Sequence, residues 1–299
     1  MPFDSIGNVY SEKKPPGILK TIWQIFYTDI LSMTGFYGVL CLVLVCIFGH
    51  LIAPYSADLV FENQILLPPS WSHNGSVSFF FGTDDRGRDI LSRLLSGAAM
   101  TFGSALLVTC IAALLSLLIG VLGGMSRGFT AFVMKHIFDT LFALPSLLIA
   151  LLIVAFSSPS LFKATLAVFL AILPRMTRTV YDLIRDELDK EYVITVRLEG
   201  ALKLYILFSI ILPNISATLV MELTRSLSMA ILDISALGFL NLGAPFPSSE
   251  WGAMLGSSIH LLREAPLAVF FPSILISISI LFVNIVGDGL YRAINKSVR

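Results

Sequence analysis

The densest cluster of acidic residues in this sequence is formed by Asp84, Asp85 and Asp89. Hard cations prefer carboxylate ligands, so a metal-dependent enzyme embedded in a membrane could use such a cluster. Three basic residues interleave with these acids and can form ion pairs with them: Arg86, Arg88 and Arg93. We therefore favour an ion-paired segment and keep the membrane enzyme as a less favoured alternative.

A short helix is predicted directly after this cluster, capped by the segment 82–85. On this helix the apolar residues Ile90, Leu91, Leu94 and Leu95 share one face. Asp89 and Arg93 are spaced to form an i, i+4 pair on another face. We expect the helix to lie in the outer membrane interface and to lead into the second membrane span.

Three further ionisable residues, Glu222, Arg225 and Asp233, fall inside one long apolar stretch. Ionisable groups at membrane depth are energetically costly and normally face the protein interior or a wet pathway. Glu222 and Arg225 are three residues apart, so they share a helix face and can neutralise each other. Two interpretations stay open, namely a structural ion pair and, together with Asp233, the lining of a substrate pathway.

Other kinds of chemistry find no support in the sequence. A phosphate-binding loop of the form GxxxxGK followed by Ser or Thr is absent, so we expect neither enzymatic activity nor a bound cofactor in this chain. Cys41, Cys46 and Cys110 lie apart in apolar runs, so we assign them no disulfide or metal role. The formal net charge is zero, so nucleic acid is not an expected partner.

The composition indicates a membrane protein. Of the 299 residues, 56% are hydrophobic and only 13% are charged, whereas soluble domains carry about 25% charged residues. A spanning helix needs about 20 mainly apolar residues, because lipid offers the backbone no hydrogen-bond partners. Six stretches approach this length, and we predict an all-α protein with six spans at about 33–53, 101–123, 137–156, 161–173, 213–236 and 267–286.

The distribution of basic residues predicts the orientation. Lys and Arg near span ends remain in the cytoplasm. Of the 20 basic residues, fourteen fall in segments on the side of the N-terminus and Arg225 lies within a span. The remaining five lie on the opposite side: Arg86, Arg88, Arg93, Lys163 and Arg263. We therefore expect a multi-pass membrane protein with both termini in the cytoplasm, in contact with membrane lipid.

Five segments follow from these spans. We predict a cytoplasmic N-terminal segment over 1–32, a first span over 33–53 and a periplasmic loop with the interfacial helix over 54–96. A five-helix domain covers 97–287, and a cytoplasmic tail covers 288–299. Inside the five-helix domain, charges alternate with apolar residues over 175–203, a pattern typical of short amphipathic helices at the cytoplasmic surface.

The end of this inner loop and the segment after it carry Gly200, Ile210, Leu212 and Pro213. Nine residues separate the glycine from the isoleucine, and one residue separates the isoleucine from Leu-Pro. This spacing resembles the loop of permease subunits of binding-protein-dependent ABC importers. The Glu-Ala-Ala that precedes the glycine in the family is replaced here by other residues: Ile194, Thr195 and Val196.

Two other segments resemble one branch of that family, the second permease of dipeptide, oligopeptide and nickel importers. The run 82–93 is similar to its Gly-Thr-Asp-x-x-Gly-Arg-Asp-x-x-Ser-Arg signature, and the segment 242–290 is similar to its closing region. The arginine that follows the signature in the family is replaced here by Ala99. Within the branch, the runs 67–72 and 228–234 resemble a subgroup associated with peptide transport, antimicrobial peptides and, in some cases, polyamine export.

The resemblance implies a location in the bacterial inner membrane, a fold, partners and a mechanism. It implies the type I importer permease fold of an ABC transmembrane type-1 domain, paired with a homologous permease, two cytoplasmic ATPase subunits and a periplasmic solute-binding protein. It also implies that the segment around Tyr192 is the coupling helix, seated in a groove of an ATPase subunit. Peptides, including antimicrobial peptides, are the expected cargo, and export of a polyamine such as putrescine stays an alternative. A self-contained channel or carrier is the remaining rival.

Overall fold

The computed structural model describes residues 17–126, 128–142 and 145–298, and all regular secondary structure in them is helical. The predictions for residues 1–16, including Lys13 and Lys14, and for Arg127 and Arg299 lie outside the described residues. The first half contains α1 (Ile18–Thr28), α2 (Ile30–Ile52), α3 (Ile90–Ala98), a π-helical segment (Ala99–Gly103), α4 (Ser104–Gly124), α5 (Phe129–Phe142) and α6 (Ser146–Ala155). The second half contains α7 (Leu161–Leu188), α8 (Glu191–Leu198), α9 (Lys203–Tyr205), a second π-helical segment (Ile206–Ile211), α10 (Leu212–Phe239), α11 (Trp251–Ser258), a 3₁₀ turn (Ile259–Leu261) and α12 (Pro266–Val298).

Four helical stretches in the described residues are long and apolar enough to cross a membrane. They are Ile30–Ile52, Ile90–Gly124, Lys203–Phe239 and Pro266–Ser297. The all-α membrane class is therefore confirmed, whereas the count of six spans stays a prediction. The third expected span falls on two described helices, α5 and α6, and α6 begins directly after Pro145, whose backbone is extended.

Helix α7 is longer than expected, since it continues through Pro174 to Leu188 instead of ending near residue 173. Its second half buries Val180, Tyr181, Ile184 and the charged Glu187, whereas its other charged residues are partly or fully exposed. This apolar face packs against α4, and the packing compensates for the backbone hydrogen bond that a proline removes. The inner loop predicted over 175–203 is thus helical up to Leu188, and α8 is the short helix that follows.

Helix α3 also differs from its prediction. Its N-cap is Asp89, whose Oδ2 accepts hydrogen bonds from Ser92 N at 2.8 Å and Ser92 Oγ at 2.5 Å. The expected Asp89–Arg93 pair is wrong, because the capping carboxylate turns back toward the helix start. Both Leu94 and Arg93 are buried, so α3 is packed within the protein. It does lead into α4 as predicted.

The long helices approach each other closely through small residues. A Cβ added to Gly35 in α2 would lie 2.5 Å from Ile285 Cγ2 of α12, and one added to Gly287 in α12 would lie 2.1 Å from Thr224 Oγ1 of α10. Both distances are far below van der Waals contact. Small residues favour such close packing in membranes, where no hydrophobic force drives helices together.

The start of α2 is tied to the end of α12 by Asp29, which directly precedes the first apolar stretch. Asp29, the N-cap of α2, accepts hydrogen bonds from Ser32 Oγ at 2.6 Å and from Arg292 Nη2 at 2.6 Å. These two interactions, led by the Ser32 hydroxyl, hold the pKa of the Asp29 carboxyl below its ordinary value. The contact places both ends at the same side of the helix bundle.

Candidate functional site

Helix α8 is held against the protein by one side only. Val193 is fully buried and belongs to an apolar cluster formed by the second half of α7, the second π-helical segment and the start of α10. Away from this cluster, Tyr192 and Ile194 are 42% and 41% exposed, and Leu198, on the opposite side of the helix, is 84% exposed. Contact of apolar side chains with water is unfavourable in free energy, so this outer face is suited to binding the surface of a partner protein.

Glu187 at the end of α7 determines the position of α8. The carboxylate is buried and accepts hydrogen bonds from Tyr192 Oη and, at 3.3 Å, from Asn214 Nδ2, while Lys190 Nζ lies 2.6 Å from its Oε2. Asn214 also donates to Tyr192 Oη at 2.8 Å. This polar group joins α7, α8 and the first turn of α10, so a movement of α8 must act on both long helices.

Gly200 ends α8 in a Schellman motif. Its φ is +89°, which an L side chain rarely adopts, and the amide of Ala201 donates to Val196 O at 3.3 Å. The glycine therefore has a conformational role at the predicted position. Val196, Ile210 and Leu212 pack at the edge of the Val193 cluster, whereas Thr195 and Pro213 are exposed. The structure thus brings the predicted coupling residues into one region around α8.

The three ionisable residues of α10 have different surroundings. Glu222 is buried beside a mostly apolar cavity of 180 Å³ between α4, α7 and α10. The guanidinium groups of Arg175 on α7 and of Arg225 on α10 both act on the charge of its carboxylate. The Glu222–Arg225 pair therefore stays a prediction, with Arg175 as a second positive charge that helix spacing did not indicate.

Arg225 and Asp233 complete this description of α10. Arg225 is exposed although it lies about 20 Å along a helix of 28 residues, near its middle. Asp233 is 3% exposed, and its Oδ2 lacks a hydrogen-bond partner among the described residues. The two groups thus point into different environments, one on the protein surface at membrane depth and one inside the bundle.

The acidic cluster before α3 is a network of ion pairs. Asp84 Oδ2 lies 2.8 Å from Arg88 Nε and 2.7 Å from Arg93 Nη1, and all three side chains are buried. Asp85 lies 3.6 Å from His260 Nε2 at the surface. Within the described part of the chain, no three His, Cys, Asp or Glu residues come together at a possible metal site. Arg88 and Arg93 already bind the Asp84 carboxylate that a metal ion would need as a ligand.

Another buried carboxylate, that of Glu250, was not predicted as a site residue. It caps α11 by accepting hydrogen bonds from Gly252 N at 2.9 Å and Ala253 N at 2.7 Å, and Thr101 Oγ1 donates to it at 2.9 Å. Burial raises the pKa of its carboxyl, while these hydrogen bonds act in the opposite direction. The adjacent Trp251 donates from Nε1 to Leu94 O at 2.9 Å. Glu250 and Trp251 thereby fasten α11 to α3 and the π-helical segment.

Glu187, Arg175 and Glu250 are the important polar residues that sequence reasoning missed. Each has contacts with residues far along the chain, so no local spacing identifies its partners. The one available signal was an acidic residue five positions before Tyr192, next to the predicted coupling segment.

Comparison with known families identifies two matching regions. Residues 116–299 match the family described as binding-protein-dependent transport system inner membrane component. Residues 17–69 match the N-terminal transmembrane domain of oligopeptide transport permease C. Together these regions include α8, α10 and the start of α2.

Individual proteins show the same relationship. The chain is 58% identical over 298 residues to the peptide transport system permease protein SapC of Salmonella typhimurium, with 100% of both chains covered. It is 37% identical to the di/tripeptide transport system permease protein DppC of Pseudomonas aeruginosa, covering 95% of this chain and 94% of that one. A solved chain of the MetNI methionine ABC transporter shares the fold with a TM-score of 0.56 and 18% identity, covering 68% of this chain and 96% of that chain.

Proposed function

This chain belongs to the family of binding-protein-dependent transport system inner membrane components, and from that premise we propose that it is the permease subunit of a bacterial ABC transporter for peptides. The observation that carries the proposal is the full-length similarity to peptide permeases of both the SapC and DppC kinds. The type I importer fold and the helical composition agree with it. Peptide transport is therefore favoured over polyamine export and over a metal-dependent enzyme.

The proposed complex contains this chain, a homologous permease, two ATPase subunits and a periplasmic solute-binding protein. ATP is bound by the ATPase subunits, and this chain supplies a path and a mechanical connection. We place both termini in the cytoplasm, supported by the excess of basic residues on that side of the predicted spans. In this orientation α8 lies in the cytoplasm, where an ATPase subunit can reach it.

Helix α8 is the proposed contact with the ATPase. Its exposed residues Tyr192, Ile194 and Leu198 supply apolar surface for a groove, and the buried Val193 and Glu187 transmit displacement to α7 and α10. A rigid connection is necessary because closure of the ATPase pair has to change the packing of long helices. The proposed contact therefore consists of an apolar outer face and a rigid inner attachment.

Arg225 is the proposed pathway residue of α10. A guanidinium group on the surface near the middle of a span is costly in lipid, so it is expected to face another protein subunit or a wet pathway. Glu222 and Asp233 are buried behind this surface, so they support a pathway role of α10 only indirectly. We infer that Arg225 lies toward the partner permease, where the two subunits enclose the cargo.

The test of the function is isolation of the complex in mild detergent followed by ATPase and transport measurements. We expect two ATPase subunits to co-purify and expect peptides, delivered by the binding protein, to stimulate ATP hydrolysis. Recovery of the chain without an ATPase subunit would contradict the proposal. Transport by the isolated chain in liposomes, driven by a gradient alone, would favour a carrier instead.

Two pairs of variants test the proposed sites. Ile194→Asp on the outer face of α8 should reduce ATPase binding, whereas Leu19→Asp, which alters an even more exposed leucine on α1, should leave binding unchanged. Arg225→Glu should reduce transport at normal protein levels, with Arg263→Glu outside the spans as the matched control. Because Arg175 also acts on the charge of Glu222, we expect that combining Arg225→Glu with Glu222→Arg does not restore transport. Restoration would support the structural pair.

A further inference from the structure

A cavity of about 550 Å³ opens beside α8, away from its exposed apolar face. The walls come from the end of α4, the last turns of α7, the end of α8 and the start of α9. Three cationic side chains line it, namely Arg185, Arg197 and Lys203, and Asp189 is the acidic residue among its lining. The cavity is thus formed by four separate elements and has a net positive lining.

The three cations form no ion pair with an acid among the described residues. Arg185 is half-buried, and its Nη1 donates to the carbonyl oxygen of Ser126 at 3.1 Å, which holds the guanidinium group against the end of α4. Across the described ranges 17–126, 128–142 and 145–298, no carboxylate lies within 4.0 Å of a charged nitrogen of Arg185, Arg197 or Lys203. The neighbouring lysine, Lys190, differs because Glu187 engages it. An anion in the cavity therefore breaks no ion pair of the described chain, although Arg185 Nη1 is already held by Ser126.

Cations that face one small volume repel each other, and an anion in that volume removes the repulsion. A phosphate group suits this lining, since guanidinium groups donate two parallel hydrogen bonds to its oxygens and a lysine adds a point charge. Met125, Leu188 and Ile206 supply apolar wall beside the charges. Basic pockets at the cytoplasmic side of membrane helices bind phospholipid headgroups, and a soluble phosphate has the same chemistry.

We propose that this cavity binds a phosphate group through Arg185, Arg197 and Lys203. The bound group is the headgroup phosphate of an anionic phospholipid or a soluble phosphate, and both place the same anion between α7, α8 and α9. Occupation joins the end of α8 to α7 at a second point, on the side opposite to the Glu187 attachment. The proposal rests on the proposed function for its cytoplasmic location, although the binding chemistry depends only on the cavity.

The experiment uses the complete complex in detergent. Binding of phosphatidylglycerol and phosphatidylcholine is measured by native mass spectrometry, and binding of inorganic phosphate is measured by calorimetry. Arg197→Gln and Lys203→Gln each remove one charge from an accessible side chain, so both variants should fold. Lys20→Gln removes one charge from an exposed side chain of α1 outside the cavity and serves as the matched control.

We expect each cavity variant to weaken anion binding at least about tenfold, while Lys20→Gln stays within about twofold of the unaltered protein. Preference for phosphatidylglycerol over phosphatidylcholine identifies a lipid, and phosphate binding with the same dependence on the variants identifies a soluble anion. Equal binding of both lipids by all proteins, without phosphate binding, would overturn the proposal. Loss of the ATPase subunits from the unaltered complex would instead count against the proposed function and leave the cavity test valid.

Discussion

Substitution of Glu187 by alanine should weaken the attachment of α8 to α7 while the remainder of the bundle stays folded. The carboxylate accepts hydrogen bonds from Tyr192 Oη and Asn214 Nδ2 and pairs with Lys190 Nζ at 2.6 Å. Val193 would stay in its apolar cluster, but the polar half of the attachment would be lost. The effect is therefore expected to be local to α8 and the first turn of α10.

The magnitude follows from the exposure of each partner. A buried hydrogen bond to a charged group contributes about 1.5–3 kcal/mol to stability. Because Tyr192 is partly exposed to water, the lower end of that range applies to its hydrogen bond. The Lys190 ammonium is 53% exposed, so its ion pair contributes less than about 1 kcal/mol. The expected loss is about 2 kcal/mol, which corresponds to a roughly 30-fold increase in the population with α8 detached.

Hydrogen exchange of the α8 amides in the intact complex measures this population. Exchange over 194–198 should accelerate about 30-fold, because local opening becomes more favourable by the calculated amount. Lys190→Ala, which removes only the exposed ion pair, should accelerate exchange no more than about fivefold. Amides of α4 should be unaffected in both variants. If Glu187→Ala exchanged within twofold of the unaltered protein, the assigned role of the carboxylate would be refuted.

Three further predictions concern stability, measured by thermal unfolding in detergent. Asp84→Asn should lower stability by about 3–5 kcal/mol, because it leaves two buried guanidinium groups without their carboxylate, and a loss below 1 kcal/mol would contradict this. Asp29→Asn should be less stable than the unaltered protein near neutral pH, and the difference should disappear with acidification. Because the pKa of Asp29 is lowered in the folded protein, its contact with Arg292 stabilises the fold above the ordinary pKa, and this stabilisation is lost as pH falls through the lowered pKa. A stability difference independent of pH would refute this linkage. Gly287→Ala should cost about 1–3 kcal/mol because the added Cβ meets α10 at 2.1 Å, whereas Gly17→Ala, with no atom within 4 Å of the added Cβ, should change stability by less than about 1 kcal/mol.

The sequence by itself determined the class and family of this protein. Apolar stretches of membrane length required helices, since a backbone in lipid has to satisfy its own hydrogen bonds. Gly200 and the Ile-Leu-Pro spacing after it located the region around α8, because a helix end in positive φ depends on residue type at one position. These features depend on neighbouring residues, so they can be recognised along the chain.

Only the tertiary structure decided which charged groups meet. Arg93 pairs with Asp84 instead of Asp89, Arg175 of α7 acts on the charge of Glu222 alongside Arg225, and Glu187 joins three elements. Helix α7 likewise continues to Leu188 because α4 covers its apolar face. In each case several partners were compatible with the local sequence, and the packing of distant helices selected one by burying it.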